Sequence, residues 1–176
     1  MTDMKKDRTQ PKVSRGFTVS GLTELLPLME ECLAAGQSVK FSPRGVSMLP
    51  MIVQGRDSVT LSSPPDRLKK FDIPLYRRKD GSFVLHRVIK VSDTYTCMGD
   101  NQFKAEKGIA QDQIIGVVTA FTRKGRTYAV SHGGYRLYCV LWHISRPLRR
   151  VWRALRGSAA RLKRKISSRW RRNHGT

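Results

Sequence analysis

The sequence predicts a mainly β fold: an antiparallel β-domain with an N-terminal helix before it and a basic helical extension after it. Three observations predict this. Short apolar runs with period-two alternation follow one another closely, separated by turn residues. The apolar spacing becomes helical at both ends of that region. Acids stop at Asp112, so the last third of the chain is basic throughout.

Residues 1–15 are polar and charged and are expected to be disordered. The β-domain is expected over residues 16–132. Its helix starts near Ser20, a capping residue, and ends at Gly36. Leu22, Leu25, Leu26, Met29, Cys32 and Leu33 share one face, and Pro27 interrupts the pattern. Strands are predicted at 38–41, 58–61, 73–77, 83–91, 94–98, 114–121 and 127–130. Pro64-Pro65, Asp80-Gly81 and Lys124-Gly125 mark turns between them. No internal repeat and no βαβ alternation is visible.

Residues 133–176 read as a basic amphipathic helical tail. Leu137, Leu141, Ile144, Leu148, Val151 and Leu155 form a stripe, and Arg146, Arg149, Arg150, Arg153 and Arg156 fill the other side. Pro147 is expected to kink or divide this helix, and the segment 161–172 is almost purely basic.

A chain of 176 residues suits one compact domain with appendages. A net charge of +21 attracts polyanions, whether nucleic acid or an anionic membrane surface. No secretory signal and no run of about 20 apolar residues is present, which predicts a cytoplasmic protein, peripheral at the inner membrane face if it touches a membrane. Cys32, Cys97 and Cys139 are odd in number, widely spaced and without histidine neighbours. They are expected to be reduced thiols, with no metal site and no cofactor.

Three segments carry chemistry. Ser47 stands in Arg44-Gly45-Val46-Ser47-Met48-Leu49-Pro50, a turn that holds a hydroxyl outward with backbone N–H groups beside it. His86 lies in Val84-Leu85-His86-Arg87-Val88. Imidazole is largely neutral near pH 7 and can accept a serine proton. Strand alternation would set His86 and Val88 on one face and Leu85, Arg87 and Ile89 on the other. Asp100 follows a strand in Met98-Gly99-Asp100-Asn101, where a carboxylate can orient an imidazole. Taken singly, each has an ordinary explanation as a loop serine, a core histidine or an Asx turn.

Their order is more specific. The serine turn, the His-Arg-Val strand, Gly99-Asp100-Asn101 and Ile115-Gly116-Val117-Val118 together resemble the signal peptidase I and LexA-like serine peptidase superfamily, from about Phe41 to Phe121. The resemblance implies a LexA/signal peptidase-like β-domain and serine endopeptidase activity on a leader or signal-like segment of a protein substrate. Ser47 would be the nucleophile and contribute to the oxyanion hole, His86 the general base and Asp100 its orienting acid. Histidine where most bacterial members have lysine resembles the endoplasmic reticulum-type branch. Glu106 is the nearest further acid, and Lys90 is an alternative base. The chain departs from the family in having no N-terminal membrane anchor, and from LexA-like repressors in having one N-terminal helix where a helix-turn-helix would stand. The competing reading is a non-catalytic binding module of the same fold, recruited to DNA or membrane by its tail.

The tail itself has three readings. Its stripe with Trp142, Trp152 and Trp170 suits an anionic membrane surface. Its arginines suit nucleic acid, the less favoured partner. Or the stripe packs on the β-domain and the arginines are solvated.

Overall fold

Nine strands and two helices follow one another in the computed structural model, which describes residues 19–153 and 155, with side chains from Leu25 onward. The expected N-terminal segment 1–15 and the basic segment 161–172 lie outside the described residues, as do the side chains of Ser20 and Leu22.

Helix α1 (Val19–Ala34) runs through Pro27. Leu26, Met29 and Leu33 recur at helical spacing and are buried, which fixes the face it presents to the core. It ends as the sequence predicts. Gly36 takes φ 73°, its N–H donates to Leu33 O, and the Gln37 N–H donates to Cys32 O. These two bonds satisfy carbonyls that the last helical turn leaves open.

The strands form two antiparallel sheets. They are β1 (Val39–Phe41), β2 (Asp57–Ser62), β3 (Pro74–Arg77), β4 (Phe83–Leu85), β5 (Arg87–Val91), β6 (Tyr95–Met98), β7 (Glu106–Ile109), β8 (Ile114–Arg123) and β9 (Arg126–Ala129). One sheet runs β1-β2-β8-β3-β4, with β9 also paired to β8; the other runs β5-β6-β7. A mainly β, antiparallel architecture is thus established. β7 is a strand the sequence did not reveal, because Glu-Lys-Gly-Ile has no apolar alternation and Gly108 takes φ 74°.

The expected single strand over 83–91 divides at His86. Its N–H reaches Pro74 O at 3.4 Å, while the Val88 N–H donates to Asp72 O. The chain leaves one sheet and enters the other at this residue. Consequently Leu85, His86, Arg87 and Val88 are all buried, where simple alternation would have exposed every second one. A strand that changes sheets is covered on both faces at the crossing.

The core joins both sheets. Leu68, Tyr76, Val88, Cys97, Ile109 and Val117 belong to one buried cluster. Leu61 and Val59 of β2 are fully buried. Each such side chain contributes about 1.5–3 kcal/mol by leaving water. Asp57 shares their inward face, so its charge requires partners. Arg56 and Arg123 both pair with it and the Val53 N–H donates to it. Burial alone would raise its carboxyl pKa, but these donors outweigh burial and hold it well below the usual range.

Helix α2 spans Gly133–Ile144. Regular helix is interrupted at Ser145 and resumes over residues 146–153, two residues before Pro147 removes a backbone donor. The chain divides into two compact units between Arg136 and Leu137. Among the described residues, no helix is long and apolar enough to cross a membrane.

Candidate active site

The loop from β1 to β2 turns sharply at Ser47. Gly45 takes φ 101°, a conformation that favours glycine, and its N–H donates to Gln54 Oε1 at 2.7 Å. The Leu49–Pro50 peptide is cis. Met48, Met51 and Ile52 are buried and anchor the turn from below, while Ser47 is half-buried. Among the described residues, none accepts from the Ser47 N–H, so that donor is available to a bound oxygen.

The Gly99-Asp100-Asn101 turn clamps this serine. The Asn101 N–H donates to Ser47 O at 2.8 Å, and Asn101 Nδ2 donates to Val46 O at 3.1 Å. Gly99 lies so close that a Cβ there would meet Ser47 O at 2.6 Å and Ser47 Cβ at 3.1 Å. Only glycine fits that contact. Two of the motifs read from the sequence therefore meet in space, through backbone.

His86 is 1% exposed. Its Nδ1 hydrogen-bonds Tyr76 Oη at 3.2 Å and lies 3.2 Å from Glu106 Oε1. Tyr76 Oη donates to Glu106 Oε2 at 3.0 Å, and Arg78 donates to both Glu106 oxygens. The Arg78 bond first, then that of Tyr76, holds the Glu106 pKa below its ordinary value despite partial burial. An ionised carboxylate only accepts, so Nδ1 is assigned the proton and Nε2 the free lone pair. Burial lowers the His86 pKa to about 4; Glu106 opposes that shift and Arg78 adds to it. The imidazole is therefore neutral at pH 7. Burial first and then Glu106 raise the Tyr76 pKa, so the phenol keeps its proton.

Asp100, the expected orienting acid, is engaged with Arg87. Its Oδ1 accepts from Nε at 2.8 Å and its Oδ2 from Nη2 at 2.7 Å, with both side chains buried. The carboxylate beside Nδ1 is that of Glu106; Asp100 contributes a longer-range field that favours the imidazolium. The reason is the sheet crossing at His86. Arg87, the next residue, is buried as well and needs a counter-charge. Lys90 is exposed on β5 and lies outside the cavity described next.

Ser47 and His86 line one cavity of ≈ 250 Å³. Pro43, Met48, Ile52 and residues Phe83–Leu85 give it apolar walls, and Arg78 and Gln102 give it polar ones. Ser47 and His86 are not hydrogen-bonded to each other. A larger groove of ≈ 880 Å³, lined by Glu30, Arg77, Lys79 and Asp112 among others, shares only Arg78 with it and holds neither residue. Sequence reasoning missed Tyr76 and Arg78. Both sit on or just beyond β3 with no local pattern to distinguish them from core and surface residues.

Cys32, Cys97 and Cys139 form no disulfide, and burial raises the Cys97 thiol to about 12, which disfavours its reactive thiolate. Among the described residues, no group of three or more His, Cys, Asp or Glu could hold a metal ion. Comparison with protein-family models, with curated proteins and with solved structures finds no match to this chain.

Proposed function

We propose that the chain is a serine endopeptidase of signal peptidase-like fold that cleaves a leader or signal-like segment of a protein substrate. The observation that supports it is the shared cavity of Ser47 and His86, with the imidazole backed by Tyr76 and Glu106.

In this mechanism His86 Nε2 takes the proton of Ser47 Oγ as that oxygen attacks the scissile carbonyl. The oxyanion forms beside the Ser47 N–H. One such donor is typically worth about 3–4 kcal/mol in the transition state. Charge on His86 is offset through Nδ1 by Glu106, with Tyr76 hydrogen-bonded to both. His86 then protonates the leaving amine, and water, activated by the same imidazole, releases the acyl group. β4 ends the order of its sheet, and its residues line the cavity. An extended substrate segment can add there as a further strand, with its apolar side chains in the pocket.

The test is acylation of Ser47 by a serine-reactive probe, followed by intact mass and peptide mapping. Labelling at Ser47 that disappears in His86→Ala supports the peptidase. A folded chain that never labels, with lipid present, supports the alternative, a binding module with an inert Ser47.

A further inference from the structure

The helical segment that starts at α2 exposes its apolar side. Leu137, Leu141, Ile144, Leu148, Val151 and Trp152 are each between 57% and 74% exposed. At 3.6 residues per turn they fall in one stripe, together with exposed Val140 and Leu155. The stripe is about 120° wide and about 27 Å long, counted along a continuous helix. The opposite face holds buried Cys139 with half-buried Trp142, Arg146 and Arg149. The Arg149 guanidinium lies over the Trp142 ring, 3.4 Å from its centroid. Scattered exposed apolar side chains need no explanation, but eight recurring at helical spacing mark a docking face.

We infer that this face inserts into an anionic lipid surface. The charge of the chain selects that occupant. No Asp or Glu follows Asp112, whereas sixteen Lys and Arg do. A second copy would bring the same positive field to the contact and be repelled. An anionic leaflet attracts it, with each basic residue near the surface adding on the order of 1 kcal/mol. Leucine, isoleucine and valine then enter the acyl boundary. Trp152, at one edge of the stripe, sits at headgroup depth, and Arg146 and Arg153 reach phosphates from the far side. The inference goes beyond the peptidase reading and does not depend on it.

The test uses the full chain with vesicles of phosphatidylcholine alone and with added phosphatidylglycerol, and with a duplex oligonucleotide at matched salt. Binding to the anionic vesicles is expected to exceed binding to the neutral ones. It should fall at least about tenfold in a Leu141→Ser/Leu148→Ser variant. Quenching of tryptophan fluorescence by brominated acyl chains should be clearly smaller in Trp152→Phe than in the parent chain, the difference reporting Trp152. The catalytic variant Ser47→Ala should bind as the parent does, so failure of the peptidase reading leaves this result standing. Equal binding by the double variant, absence of Trp152 quenching, or tighter binding to the oligonucleotide would each overturn insertion of this face.

Discussion

Glu106 Oε1 lies 3.2 Å from His86 Nδ1, although Glu106 opens β7, His86 stands between β4 and β5, and the two are twenty positions apart. That pairing assigns the proton of the neutral imidazole to Nδ1, while burial keeps the ring neutral. It also decides which acid matters to catalysis and which to stability.

Acylation of Ser47 should depend on pH through an imidazole whose pKa is lowered to about 4. The neutral form is the active one. Labelling rates should therefore rise through about pH 4 and stay level from pH 5 to 7. A midpoint near the ordinary histidine value of about 6.5 would contradict the buried environment assigned to His86.

The same shift makes a stability prediction. His86 binds its proton less readily folded than unfolded, so the unfolded chain takes up more protons below pH 6.5. Stability is fully present above that pH and declines as pH falls toward 4, by about 3 kcal/mol in all. Urea midpoints between pH 6.5 and 5, before most carboxylates titrate, should decline in the parent chain and stay flatter in His86→Leu.

Exchanging the two acids separates their roles. Glu106→Gln should lower Ser47 acylation by about a hundredfold or more, because the imidazolium loses its counter-charge. Asp100→Asn should mainly destabilise, by about 3–5 kcal/mol in chemical denaturation, since it leaves Arg87 charged and buried without its carboxylate. An Asp100→Asn chain of parental stability that no longer acylates would return the orienting role to Asp100.

Gly99→Ala should cost activity more than a surface alanine does. Its Cβ would stand 2.6 Å from Ser47 O, so the serine turn must move. A displacement on the order of 1 Å at the nucleophile costs about a hundredfold in rate. Acylation kinetics on the folded variant measure this; a rate within a factor of about two of the parent would show that the turn yields freely.

Much of this was legible because the relevant residues are local. Ser47 is marked by its glycine and proline flanks, and α1 by the spacing of Leu26, Met29 and Leu33 and its Gly36 stop. Period-two alternation located β2, where Asp57, Val59 and Leu61 form one buried face. The alternation failed at His86 because crossing between sheets buries consecutive residues, and periodicity does not register a crossing. Tyr76 was hidden, and Glu106 stood only as the nearest further acid, for a related reason. They are thirty residues apart, and only the approach of β3 to β7 brings the phenol to the carboxylate. Asp100 had a plausible motif, but its partner depended on the burial of Arg87, which is a property of packing.

The crossing at His86 also has a meaning for how the chain is made. Pro74 of one sheet and Asp72 with Val88 of the junction pin the backbone on either side of the imidazole, and its acid comes from the other sheet. A chain with only one sheet formed has a serine but no poised base. The proposed activity therefore requires both sheets to be in place at once.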